Sequence, residues 1–199
     1  MPESIGNSLL GFHIMRVISG SARGTRLVSL GSANIRPTLD RVKESFFNQI
    51  GPGLEGECFL DLFAGSGSMG VEALSRGAEN VVFVEPNSKA QKIILQNLEK
   101  CHMQDKPWDL LRSTAASGLK ILSERKLGFD LVYMDPPFAE GLYEPTMVEL
   151  SHLGILRQDA VVVLEHAHKT VFSENYDKLK FYKNRRIGDS CLSFFNFEG

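Results

Sequence analysis

The chain has 199 residues, 43% hydrophobic and 23% charged, with a formal net charge of −2. That length buries a sizeable core without a metal or disulfide staple, and no window approaches the roughly 20 apolar residues of a membrane span. Collagen, coiled coil, wholesale disorder and integral membrane protein are excluded, and three scattered cysteines (Cys58, Cys101, Cys191) without a CxxC pair fit buried small side chains in a reducing cytosol.

Residues 1–14 carry no basic n-region and only a broken apolar stretch, so no secretion signal is read there. The segments 15–19 (MRVIS) and 24–30 (GTRLVSL) alternate apolar and polar around Gly20-Ser21-Ala22-Arg23, which predicts a hairpin. Six basic residues between Arg16 and Lys43, five of them Arg, face a single acid, Asp40. Residues 1–50 carry net +3, residues 51–168 net −7 and residues 169–199 net +2. An arginine-rich stretch suits an anionic partner, a solvated charged face being the plainer alternative. Arg36-Pro37-Thr38 breaks the chain, and Thr38 is placed to cap a helix over 39–50. Val42, Phe46 and Ile50 form its apolar stripe, and Gly51-Pro52-Gly53 ends it.

From residue 58 strands and helices alternate. Candidate strands are 58–63, 80–85, 108–112, 129–134, 160–166, 178–184 and 191–197; candidate helices are 69–76, 87–101, 115–124 and 144–153. Several strands are nearly all apolar, as in a sheet covered by helices on both faces. The alternation predicts an α/β fold with a mostly parallel sheet. No helical pattern separates the last two strands, so they are expected to form an antiparallel hairpin at one edge.

The run from Asp61 to Gly70 follows a strand and opens a helix, and Gly65, Gly67 and Gly70 match G-x-G-x-x-G in that context. Glu85 lies 20 residues after Gly65 at the end of the next strand, where a carboxylate can accept both hydroxyls of a ribose. This pattern alone fits NAD or S-adenosylmethionine. Asp61 favours the latter, because a carboxylate there meets a cationic amino group but would repel a pyrophosphate. A tight turn without a ligand is the plain alternative.

Asp135-Pro136-Pro137-Phe138 follows the strand 129–134. Two prolines fix φ twice and remove two donors, so the loop presents acceptors, the Asp135 carboxylate and a proline carbonyl, beside an aromatic plate. That set suits a planar group bearing NH2, such as a nucleobase. Two acceptors holding the amino hydrogens favour a pyramidal nitrogen and aim its lone pair at a methyl carbon. The pair His166 and His168 lacks further ligands at metal-binding spacing, so no metal is expected.

These motifs resemble those of Rossmann-like adenosylmethionine-dependent amino methyltransferases, whose second motif is [D/N]-P-P-[F/Y/W]. Met15-Arg16-Val17-Ile18-Ser19-Gly20, then Arg23-Gly24, then the run from Arg36 to Asn48 (RPTLDRVKESFFN), narrow the resemblance to the RsmD family, which methylates a guanine N2 in bacterial 16S rRNA. Glu72 to Ala78 completes the glycine-turn motif. The resemblance covers about residues 15–197. It implies a seven-stranded, mostly parallel sheet with an antiparallel edge hairpin, preceded by an N-terminal β-hairpin and helix.

It also implies roles. Asp61, Ala64, Gly65, Ser66 and Gly67 would line the methionine end of the cofactor, Glu85 would take the ribose, and Pro86, Thr114 and Ala115 would lie near the adenine. Arg36, Pro37, Thr38 and Arg41 would close over the cofactor or approach RNA. Arg16, Arg23 and Arg26 would contact RNA, Tyr143 would shape the base pocket, and Asp135 to Phe138 would hold the guanine. Many such enzymes carry an acid after the third strand for the adenine amino group; here the stretch is Arg112-Ser113-Thr114-Ala115-Ala116. The family pattern begins at Met15, so residues 1–14 are expected to be a disordered extension or a misassigned start, and 15–199 one domain of a hairpin and helix (15–50) and a core (51–199). The expected protein is a cytoplasmic, monomeric enzyme acting on 16S rRNA, free or within the small subunit or an assembly intermediate. The rivals are a DNA adenine-N6 or cytosine-N4 methyltransferase, a non-catalytic RNA-binding assembly factor and a nicotinamide dehydrogenase.

Overall fold

The structure, a computed structural model, describes residues 15–30, 38–137 and 141–199, with Thr38 and Leu39 described by backbone alone. The expectations for residues 1–14, Arg36, Pro37 and Phe138 lie outside the described residues.

In chain order the elements are α1 (Thr38–Ile50), β1 (Cys58–Asp61), α2 (Ser68–Ser75), β2 (Asn80–Val84), α3 (Ser88–Lys100), β3 (Trp108–Leu111), α4 (Ala115–Glu124), β4 (Phe129–Met134), α5 (Tyr143–His152), β5 (Leu156–Ala167), β6 (Asn175–Tyr176), β7 (Leu179–Ile187) and β8 (Ser190–Phe197). They build one sheet of order β3-β2-β1-β4-β5-β8-β7-β6. The first five strands in that order are parallel, and β8, β7 and β6 are antiparallel. Eight strands stand where seven were expected. The extra one, β6, has two residues, too few to carry an alternation.

Successive side chains of the central strands enter opposite layers. Phe59, Phe83, Leu131, Tyr133 and Val163 face α1, α2, α3 and the N-terminal segment. Leu60, Val82, Val132, Met134 and Leu164 face α4 and α5. An aromatic knot docks α1: the fully buried Phe46 ring meets Phe47, Phe59 and Tyr133 edge-on at 4.8, 6.0 and 5.3 Å. Truncating such a phenylalanine costs roughly 3–5 kcal/mol, far more than helix propensity contributes. Asn87 caps α3 by accepting from Lys89 and Ala90 N–H at 2.9 and 3.2 Å.

The N-terminal hairpin is shorter than expected. Arg16 and Arg26 form one antiparallel bridge, flanked by Val17 N–H to Thr25 O at 3.0 Å and Leu27 N–H to Met15 O at 2.8 Å. Gly24 N–H also donates to Val17 O at 2.9 Å, and several other backbone groups of the segment pair with helix side chains. Glu72 on α2 accepts from Ile18 and Ser19 N–H at 2.7 and 2.9 Å. Ser75 donates to Ser19 O at 2.6 Å and accepts from Ala22 N–H at 3.0 Å. Buried Lys43 donates to Arg16 O at 2.6 Å and pairs with Glu72 at 3.4 Å. Burial lowers the Lys43 pKa, and the Glu72 charge opposes that shift. Arg76 completes the cluster, 2.9 Å from Glu72 and stacked over Phe47.

Candidate active site at the carboxyl edge of the sheet

After β1 the chain still pairs with β4 through Leu62 N–H to Tyr133 O at 2.9 Å, then turns into α2. The glycines of this turn have different tasks. A Cβ on Gly70 would lie 2.2 Å from the Phe83 ring, so that glycine lets α2 pack on the sheet. Gly65 has φ +54°, a left-handed conformation, and a Cβ there would meet no atom closer than 4.0 Å. Its missing side chain keeps open space beside the turn, as a ligand cradle requires.

Two carboxylates bracket that space. Glu85 accepts from Gly65 N–H and Asn87 N–H, both at 2.7 Å, one on each oxygen. Each oxygen keeps a lone pair, the requirement for holding two vicinal hydroxyls. Asp61 is buried, and its Oδ2 accepts from Gly70 N–H at 3.0 Å. Burial pushes its pKa up to about 7, against the Gly70 hydrogen bond and helped by the Glu85 charge.

Asp61, Gly65, Tyr133, Asp135 and Glu165 line a common cleft of about 190 Å³, closed on one side by Val42 of α1. Asp135 leaves β4 directly into it. Burial raises the Asp135 pKa well above the carboxylate range, and the Glu165 and Asp61 charges add to the shift. Burial also raises Glu165, opposed by the Tyr133 hydroxyl that donates to its Oε2. Three carboxyl groups thus share a cleft with no basic side chain among its lining residues. A cationic ligand group would draw them towards their ionised forms. Pro136 is buried and Pro137 exposed. The Tyr143 hydroxyl is buried without a partner among the described residues, and burial with the Asp135 and Glu165 charges pushes its pKa up to about 12.

The other expected site residues fall into three groups. Ala64 and Ser66 line the cleft, and the Ser66 carbonyl is held by Asn97 Nδ2 at 2.9 Å. Pro86 is exposed beyond Glu85. Thr114 is engaged as the cap of α4, accepting from Ser117 N–H at 3.3 Å, beside half-buried Ala115. Arg16, Arg23, Arg26 and Arg41 are all exposed. Arg16 stands opposite Arg26 across the hairpin, and its only near acid among the described residues is Asp40 at 3.9 Å. Like charges directly opposite destabilise a strand pair, and a polyanion relieves that.

Sequence reasoning did not single out Tyr133, Glu165 or Asn97. Tyr133 precedes Asp135 by two residues at the end of β4, and both line the cleft. Glu165 is an acid at the carboxyl end of an apolar strand, a signal of the same kind as Asp61 and Glu85. Asn97 gave no signal, as a buried polar residue on a helix is not recognisable from spacing. His166 is buried, with Nδ1 2.8 Å from Ala167 O and Nε2 2.8 Å from Ser193 Oγ. Among the described residues no cluster of three His, Cys, Asp or Glu side chains could hold a metal ion, and no helix is long and apolar enough to cross a membrane.

The family model described as "Conserved hypothetical protein 95" matches residues 15–196. The Haemophilus influenzae "Ribosomal RNA small subunit methyltransferase D" is 37% identical over 152 residues, 76% of this chain and 78% of its own. The chain belongs to the RsmD family. A Bacillus subtilis relative, provisionally named as an rRNA methyltransferase, is 35% identical over 185 residues, 93% of this chain and 100% of its own. The solved structure of an Escherichia coli protein, provisionally described as a methyltransferase, superposes with a TM-score of 0.80 at 28% identity, covering 93% of this chain and 98% of that one. Residues of the glycine turn, from Asp61 to Met69, meet Asp135 at the acidic cleft.

Proposed function

We propose that this chain transfers a methyl group from S-adenosylmethionine to the exocyclic N2 of a guanine in 16S rRNA, acting as a cytoplasmic monomer on the small subunit or its assembly intermediate. Family membership carries the reaction class, methyl transfer from adenosylmethionine to ribosomal RNA. The observation that carries the choice of an amino nitrogen is the arrival of Asp135 in the cleft formed by Asp61 and the glycine turn.

The residues fit the cofactor. Gly65 leaves room for it, Glu85 offers one lone pair per oxygen to the ribose, and Asp61 accepts the α-ammonium. Bound cofactor supplies a methyl carbon on a positively charged sulfur, a leaving group needing no activation. Asp135 and a proline carbonyl of the loop accept the N2 hydrogens and hold the nitrogen out of conjugation with the ring. Its lone pair forms the N–C bond as the C–S bond breaks and that electron pair stays with sulfur. The surplus proton leaves nitrogen for water or for the Asp135 carboxylate, which the cationic cofactor draws to its ionised form. Orientation of this kind can supply roughly 7–11 kcal/mol of the barrier.

Asp135→Ala is expected to abolish transfer to small subunits while cofactor affinity changes less than about tenfold, a factor worth 1.4 kcal/mol. Equal loss of both would contradict the assignment of Asp135 to the base. The same assay on duplex DNA separates the rival enzyme: label in DNA and none in rRNA would replace this reading.

A further inference from the structure

One strongly charged surface takes no part in the site described above. Strand β7 reads Leu179-Lys180-Phe181-Tyr182-Lys183-Asn184-Arg185-Arg186-Ile187, and Tyr182 to Arg186 are all exposed. Among the described residues, Lys180, Lys183, Arg185 and Arg186 enter no ion pair with a carboxylate. The strand β6 covers Leu179 and Lys180, and Phe181 N–H still donates to Glu174 O at 2.9 Å, so β7 from Tyr182 onward is a free sheet edge among the described residues. Charge on a free edge blunts unwanted strand pairing. Lysine is the usual residue for that purpose, but two of the four charges here, Arg185 and Arg186, are guanidinium forks suited to phosphate, in a chain of net charge −2.

Register places this charge relative to the cleft. Arg185 pairs with Leu192, and Leu192 pairs with Glu165. Directly paired residues share a sheet face, so Arg185 lies in the row and on the face of a cleft carboxylate. Two strand spacings separate them, about 10 Å. Lys183 pairs with Phe194, which belongs to the same layer as Tyr133 and Val163. A bulge extrudes Tyr182 between Phe181 and Lys183, leaving its ring half-exposed over Phe194. Lys183 Nζ donates to Gln49 on α1, while Lys43 on the same helix meets the Arg16 carbonyl. Helix α1 therefore stands between the arginine-bearing hairpin and the basic face of β7.

We propose that β7 is a second RNA-contacting surface, which takes the sugar-phosphate backbone flanking the target guanine, with Lys183 and Arg185 on phosphates. The two side chains lie two residues apart on one face, about 7 Å, comparable with the spacing of successive phosphates in an unstacked strand. An aromatic ring beside paired cations is also the arrangement that holds single-stranded RNA, with a base free to stack on Tyr182. This inference rests on the proposed rRNA substrate and adds a recognition element to it.

The test is a Lys183→Gln, Arg185→Gln double variant, which removes both charges and keeps a polar side chain at each exposed position. Binding to protein-free 16S rRNA and to small subunits is measured across a salt series, together with transfer kinetics and cofactor affinity. The affinity for protein-free rRNA should fall about tenfold. The slope of log K against log salt should flatten by about 1.4, roughly 0.7 for each lost single-strand phosphate contact. Cofactor Kd and kcat at saturating RNA should stay within about twofold, and Lys120→Gln on α4, across the sheet, should change nothing. Unchanged rRNA affinity and salt slope in the folded double variant would overturn the proposal. Weakened binding to small subunits with unchanged binding to protein-free rRNA would also overturn it, in favour of a protein contact. Wild-type protein that binds rRNA but never methylates it would remove the proposed function, while the salt slope would still decide the role of β7.

Discussion

Asp61 serves two opposed demands. In the ligand-free fold its charge is buried, and its pKa stands at about 7 rather than 3.8. The folded state therefore holds a proton that the unfolded chain releases, and stability falls as the pH rises from about 4 through 7. Under the proposed assignment cofactor binding has the opposite sign, because the ionised carboxylate would hold the α-ammonium. Affinity for adenosylmethionine should rise with pH up to about 7 and then level, with proton release on binding below that. Asp135 and Glu165 titrate in the same cleft, so a variant isolates the Asp61 contribution. Asp61→Asn should bind more weakly at pH 8, lose part of the pH dependence, and melt higher than wild type without ligand at pH 8 but not at pH 4. Calorimetric titration and thermal melts check this, and wild-type affinity in the Asn variant at pH 8 would contradict it. Asp61, Gly65, Glu85 and Asp135 were legible because each sits at a fixed offset from a strand end. Glu165 and Tyr133 also lie near strand ends, but their meeting depends on β4–β5 register, which no single segment encodes.

Among the elements, α2 and α3 tie the cofactor turn to the arginine-bearing hairpin. The amino end of α2 is the glycine turn, and its last turns hold the hairpin through Glu72 and Ser75. From α3, fully buried Asn97 accepts from Val28 N–H at 2.7 Å and donates to Val28 O at 3.0 Å and Ser66 O at 2.9 Å. One amide thus joins the hairpin to the turn. Asn97→Leu strands three backbone groups, each costing about 1–3 kcal/mol when left unpaired. At about 1 kcal/mol for each of these part-buried groups, the melting temperature should drop by roughly 6–12 °C at 2–4 °C per kcal/mol, and amide exchange should quicken around Val28. An unchanged melting temperature would contradict the tie. The alternation around Gly20 was a fair signal for a reversing chain, and Glu72, Ser75 and Asn97 hold the outward backbone groups of the short hairpin that formed. The stretch Glu72 to Arg76, read in sequence as part of a cofactor motif, is the anchor of that hairpin.

For the whole molecule, apolar strands separated by helical patterns made the parallel half of the sheet legible, and the missing helix before β8 correctly announced an antiparallel edge. Two-residue β6 lies below any periodic signal. Charge divides as the function requires: basic hairpin, α1 and β7 residues surround an acidic cleft suited to a cationic cofactor. The central claim is the atom that receives the methyl group. The most direct measurement transfers tritiated methyl from S-adenosylmethionine to small subunits lacking the modification, followed by nucleoside digestion and mass spectrometry. The account predicts label in N2-methylguanosine from 16S rRNA. Label in another nucleoside, or none despite measurable cofactor binding, would contradict it.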